Sequence, residues 1–114
     1  MIPTLHVDFE TRSELDLKEV GLHRYARHPS TDVWCMAWSL GDADPALITL
    51  NGAEHCGFIP HVKAGLPVYA HNAPFELDIW NNIMVPRYGW PELKPEQTFC
   101  TMAMCYAMGL PGKL

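Results

Sequence analysis

Three carboxylates are the side chains best suited to chemistry in this sequence. Two stand in the stretch VDFET, where Asp8 and Glu10 flank Phe9. The apolar lead-in of Leu5 and Val7 puts them at the end of a strand, so both point to one side, about 6–7 Å apart. The D-x-E pattern is common on solvated strands, and by itself it leaves surface decoration as a full alternative. The third carboxylate, Glu76, is harder to explain that way. On a helical wheel opening at Phe75, the apolar arc holds Phe75, Leu77, Ile79, Trp80, Ile83 and Met84, and Glu76 lies in its middle. Asp78, Asn81 and Asn82 fall on the opposite, solvated side. A carboxylate on a core-facing arc is costly unless it is paired or bound to a cation. Three converging carboxylates suit hard divalent ions, Mg²⁺ or Mn²⁺. Two such ions held together can activate a water and stabilise the leaving oxygen of a phosphodiester.

The elements that must position these groups follow from the pattern. Residues 4–10 read as the first strand, and 13–28 as a charged segment with a short helix broken near Gly21. VWCMAWSL (33–40) is continuously apolar and reads as a central strand buried on both faces. GDADP is a turn and ALITL (46–50) a second arm of that hairpin. Residues 51–67 read as a loop with a short helix, and 67–72 as a fourth strand. A helix spans 73–84, with Asn72 as its cap and Pro74 in its first turn. Residues 85–97 read as a proline-rich loop. A last helix, FCTMAMCYAM, stops at Gly109 with Pro111 beyond. The expected fold is α/β, a mixed sheet whose first strands are antiparallel and whose later strand follows a crossover, with flanking helices.

A length of 114 residues makes this one domain with a modest core. With 48% hydrophobic and 18% charged residues the composition is that of a globular chain, and a net charge of −5 argues against holding nucleic acid by charge alone. Metal-holding carboxylates count toward that negative sum, so nucleic acid stays open as a substrate. Cys35, Cys56, Cys100 and Cys105 form no C-x-x-C pair and are expected as reduced, mostly buried thiols of a cytoplasmic protein. No signal segment or membrane-crossing apolar run is visible.

VDFET followed by AHNAPFELDIW resembles the first two motifs of the DEDD (DnaQ-like) 3′–5′ exonucleases, which have a ribonuclease H-like fold. The first motif, D-x-E-T, matches Asp8, Glu10 and Thr11; the second, N-x-x-F/Y-D/E, matches Asn72, Phe75 and Glu76. The wider pattern, from DFETRSELDL through HNAPFE to CTMAMCYAMGLPGKL, is similar to the proofreading domain of phage-type family A DNA polymerases. That resemblance implies a single exonuclease-like domain over 1–114 that cleaves the 3′ end of single-stranded DNA with two Mg²⁺ or Mn²⁺ ions. Asp8 would bridge both metals, Glu10 would bind one, and Glu76 would hold the other side. Phe9, Thr11, Asn72 and Phe75 would contact the terminal nucleotide, and Arg12 a phosphate. For a phage-encoded chain the compartment would be the host cytoplasm.

The family also needs a third motif, Y-x-x-x-D or H-x-x-x-D, on a later helix, supplying a general base and a fourth carboxylate. The chain reaches Leu114 about where that region should begin, so the fold is expected to be C-terminally incomplete. A polymerase domain or subunit would then supply the motif, and pairing of two copies is left open. HPSTD (28–32) fits the third pattern but lies before the second motif and reads as a turn. General-base catalysis is worth roughly 10²–10⁴-fold, so the chain alone is expected to be a weak nuclease or an inactive nucleic-acid-binding module of the same fold. Other features have plainer readings. His55, Cys56 and His61 fit no zinc spacing. Met102, Met104 and Met108 read as core. Trp34, Trp38 and Trp80 are expected buried and Trp90 exposed, while Lys18, Arg24 and Arg27 form either a phosphate edge or a solvated face.

Overall fold

In LHVDFETR the alternation of apolar and polar residues makes the first strand, β1 (Leu5–Arg12), amphipathic: Leu5, Val7 and Phe9 are buried while His6, Asp8 and Glu10 are exposed. The computed structural model describes residues 2–49 and 57–112. After β1 come two short helices, α1 (Leu17–Val20) and α2 (Leu22–Arg27), which meet at Gly21, a residue at φ 82°. Then follow the antiparallel strands β2 (Asp32–Leu40) and β3 (Ala46–Ile48), and helix α3 (Phe58–Lys63). Strand β4 (Val68–Ala70) leads into α4 (Ala73–Ile79), and strand β5 (Thr98–Cys100) into α6 (Thr101–Ala107), with α5 (Val85–Tyr88) between them. The sheet order is β3-β2-β1-β4-β5; β1, β2 and β3 are antiparallel neighbours, whereas β4 and β5 run parallel to β1. The expected mixed sheet with flanking helices is therefore present, with a fifth strand that the sequence reading assigned to the start of the last helix.

The core lies on one face of this sheet. Leu5, Val7, Phe9, Met36 and Val68 meet Phe58, Val62, Ile79, Trp80, Ile83 and Met84 from the helices. The opposite face has no such cover among the described residues, which corrects the reading of β2 as buried on both faces. Trp34 is 64% exposed because it is the extra residue of a bulge: Glu10 faces Cys35, Thr11 faces Val33, and Trp34 falls between them. Trp38 is half-buried against Phe58, and Trp80 is fully buried, as expected.

Three further expectations need correction. The helix does not stop at Met84 but runs on through a π-helical turn (Trp80–Met84) into α5, ending at Gly89 in the left-handed region. Pro86 would collide with the carbonyl four residues back in a regular helix, and the wider π turn immediately before it relieves that clash. The proline-rich stretch after Gly89 is not a loose loop either. Trp80 Nε1 donates to Pro91 O (2.7 Å) and the Asn81 amide bridges Leu93, donating to its carbonyl (2.7 Å) and accepting from its N–H (2.9 Å). This folding back buries Trp90, expected exposed, with its ring 4.7 Å from Trp80 and 5.1 Å from Phe58. Finally, α6 buries no residue, so Met104 and Met108 are surface rather than core.

Because Leu93 is fully buried, the Asn81→Ala variant strands a backbone donor and acceptor there. Its expected cost is about 1–3 kcal/mol, read as a lower urea midpoint; an unchanged midpoint would show that the amide bridge contributes nothing.

His61 is buried and its Nε2 meets Pro67 O at 2.8 Å, a structural role consistent with the plain reading. His55, Cys56 and the expected strand end at Leu50 lie outside the described residues. Cys35, Cys100 and Cys105 are unpaired thiols, half-buried rather than buried. Among the described residues no helix is long and apolar enough to cross a membrane.

Candidate functional site

Backbone geometry brings Glu76 to β1. The N–H of Leu5 donates to Pro67 O (3.2 Å), toward the β4 side, and the N–H groups of alternate strand residues point the same way. Of β1, only Leu5 and His6 pair with β4, because the chain leaves the sheet after Ala70 and turns into α4. Phe9 therefore reaches past the end of β4 with its N–H directed at the start of α4. Glu76, one turn into that helix, accepts this N–H at Oε2 (3.0 Å). A side chain thus replaces the missing strand partner.

The turn that makes this possible is tightly specified. Asn72 sits at φ 79° and ψ 57°, a left-handed conformation that Asn tolerates better than most residues. Its side chain makes no capping bond, which corrects the expectation of an Asn72 cap. Its carbonyl instead accepts from Phe75 N (3.0 Å). Cys100, at the end of β5, braces the same turn by accepting the Ala73 N–H at Sγ (3.3 Å).

Glu76 is 4% exposed and its carboxyl is pushed up to about 8. Burial is the main cause; the Phe9 N–H bond opposes it, and the negative charges of Asp8 and Glu10 add to the rise. Those two charges are exposed on the strand residues either side of Phe9. The three sequence-predicted carboxylates are thus brought within electrostatic reach of one another, though among the described residues no three acidic, His or Cys side chains form a ready-made metal cage. The donor set is all oxygen, and burial, helped by the charges of Asp8 and Glu10, favours the protonated form of Glu76. An all-oxygen set is the chemistry a hard divalent ion would satisfy.

The remaining predicted residues divide into two groups. Phe75 is half-buried, its ring 6.4 Å from that of Tyr25, and Thr11 Oγ1 shares a 2.7 Å hydrogen bond with Tyr25 Oη. Tyr25 went unnoticed in the sequence; the only trace was an aromatic residue inside the charged segment 13–28. Its buried ring ties the end of β1 to α2 and α4. Phe9 points its side chain into the core, 6.1 Å from Trp80 and 6.4 Å from Trp90, so only its backbone is at the site. Arg12 is mostly exposed and lies 3.8 Å from Asp32, which also accepts from Tyr88 Oη and stands 3.9 Å from Arg87. Asp32 is therefore a structural anchor, and 28–32 is a turn closed by Thr31 N to His28 O (3.0 Å), as expected. Asp78 is less solvated than expected: Arg27 lies 3.4 Å away, which spends that cation on α4.

The described architecture is thus an α/β domain with a five-stranded mixed sheet and an acidic site at the end of its central strand. Over 97% of its length this chain is 27% identical to a DNA polymerase of Bacillus phage SP02, and it spans 17% of that protein. The chain is distantly related to a phage DNA polymerase across nearly all of its residues, but it corresponds to about a sixth of that relative's length. No family model matches, and no solved structure matches.

Proposed function

We propose that this chain is a 3′–5′ exonuclease-type domain associated with a phage-type DNA polymerase, ribonuclease H-like in fold, acting on the 3′ end of single-stranded DNA. The observation that carries the reading is Glu76: a buried carboxyl aimed at the backbone between Asp8 and Glu10, with a pKa raised to about 8. The distant polymerase relative supports it.

Asp8, Glu10 and Glu76 would hold Mg²⁺ or Mn²⁺, which when bound supplies Lewis-acid stabilisation of the reacting phosphate and an acidified water. Phe9 fixes Glu76 through its amide and separates the two exposed carboxylates by one strand residue. Thr11, oriented by Tyr25, and the half-buried Phe75 lie beside this set and would seat the terminal nucleotide. Asn72 contributes the turn that starts α4, and Arg12, exposed at the strand end, would meet a phosphate. A second reading is a nucleic-acid-binding module of the same fold with little catalysis.

Calorimetric titration with Mn²⁺ and an assay on 3′-labelled single-stranded DNA separate these readings. The chain is expected to bind Mn²⁺ and to release nucleoside 5′-monophosphates slowly, with both properties lost in Asp8→Ala. Mn²⁺ and DNA binding without Asp8-dependent cleavage would select the binding module. If wild type and Asp8→Ala are alike in Mn²⁺ affinity and equally inert, the metal-site reading fails.

A further inference from the structure

Strand β2 carries one large ring onto the face where two of the carboxylates emerge. Val33 and Met36 are both buried in the core, three residues apart instead of two. The bulge therefore leaves a pair, Trp34 and Cys35, to fill one place on the open face. Asp8 and Glu10 leave β1 on that same face, and Trp34 falls between the ladder partners of Glu10 and Thr11. Adjacent strands lie about 4.8 Å apart, so the indole rises from beside the carboxylates. Its side chain is 64% exposed, and among the described residues it pairs with no other ring, unlike Trp38, Trp80 and Trp90. Farther along β2 the open face is low. Ala37 and Ser39, the ladder partners of Asp8 and His6, line with them a shallow groove of about 190 Å³.

Charge says how a single strand could be held on this face. The chain carries a net charge of −5, and two nearby cations are engaged, Arg27 with Asp78 and Arg87 with Asp32. Arg12, opposite Asp32 at the end of β1, leaves a guanidinium exposed at this edge. With so little positive charge, counterion release contributes little affinity. Stacking of a base on an aromatic ring needs no cation, tolerates any base, and is worth about 5- to 150-fold in affinity. An open indole beside an exposed arginine is what such binding requires.

We infer that Trp34 is a stacking platform for a nucleobase of single-stranded DNA, holding the strand as its 3′ end reaches Asp8 and Glu10. The inference deepens the exonuclease reading and rests on it for the polarity of the strand. Trp34 binds substrate in this scheme and takes no part in the chemistry.

The test titrates the 114-residue chain with a labelled single-stranded oligothymidylate in Mn²⁺, followed by fluorescence anisotropy. Phosphorothioate linkages at the 3′ end of the oligonucleotide suppress cleavage. Trp34→Ala is expected to weaken binding by about 5- to 150-fold, with Mn²⁺ affinity and urea midpoint unchanged, and Trp34→Phe to keep most of the affinity. An oligonucleotide lacking its last few bases should lose affinity for wild type and much less for Trp34→Ala. Equal oligonucleotide affinity in wild type and Trp34→Ala overturns the platform, as does an equal loss from base removal in both proteins. Wild type that binds Mn²⁺ but no oligonucleotide overturns it too. The metal-site reading fails by a different result, equal Mn²⁺ affinity in wild type and Asp8→Ala, in which Trp34 plays no part.

Discussion

Replacing Trp80 by alanine is expected to destabilise the protein by about 3–5 kcal/mol, seen as a large fall in the urea midpoint. Trp80 is fully buried and its ring meets three others: Trp90 at 4.7 Å, Phe58 at 5.9 Å and Phe9 at 6.1 Å. Truncation opens a cavity on the covered face of the sheet and also removes the 2.7 Å bond to Pro91 O that holds the following segment back. Domains of this size are stable by roughly 5–15 kcal/mol, so the loss is a large share of the total. Trp80→Phe keeps most of the ring contacts and removes the indole donor, for an expected cost of about 1–3 kcal/mol. Trp34→Ala is the control: a tryptophan 64% exposed at a bulge should stay within about 0.5 kcal/mol of wild type. Comparable losses at both positions would contradict the one-sided core. Phe9 separates Asp8 from Glu10 while packing on Trp80, so Trp80→Ala should also weaken Mn²⁺ binding before it unfolds the chain.

The sequence made some of this arrangement readable and concealed the rest, for reasons that differ by residue. Period-two alternation through Leu5, Val7 and Phe9 identified β1 and the side on which Asp8 and Glu10 emerge. Period-3.6 placement of Glu76 among Ile79, Trp80 and Ile83 identified it as a core-facing carboxylate, and it is buried. Both signals are local and repeat along one element. What stayed hidden depends on contacts between elements. The continuation of the helix past Pro86 needs a π turn, which has no composition signature of its own. Strand β5 is three residues long and runs straight into α6, too short for any periodicity. Trp90 looked exposed because prolines surround it, yet Trp80 and Asn81 draw that segment onto the core. The bond from Phe9 to Glu76 required knowing that β4 ends at Ala70. The partnership of Thr11 with Tyr25 joins residues from two elements, and its one trace was an aromatic residue within a charged segment.

Stability should fall as pH rises from about 4.5 to about 8 in metal-free buffer, and Glu76 is the cause. In the unfolded chain its carboxyl titrates near 4.5, and in the folded chain near 8. Between these values the folded state holds a proton that the unfolded state has lost, so unfolding becomes easier with each increment of pH. Below 4.5 both states are protonated and the effect vanishes; above 8 both are ionised and the full penalty of a buried charge is present. A gap of this size corresponds to a few kcal/mol, on the order of 5. Other groups titrate in the same range, so the measurement is the difference between wild type and Glu76→Gln. The amide oxygen of that variant still accepts from Phe9 N–H but carries no charge. Expected are similar urea midpoints near pH 4.5 and a variant increasingly more stable than wild type toward pH 9. Parallel profiles would show that Glu76 ionises as an ordinary carboxyl. At the proposed metal site, Mn²⁺ added at pH 8 would supply a counter-charge to the buried carboxylate. At one hundred times its dissociation constant the ion should restore about 2.7 kcal/mol to wild type and much less to Glu76→Gln. The carboxylate that destabilises the metal-free protein at high pH would then also be the group through which the proposed cation stabilises it.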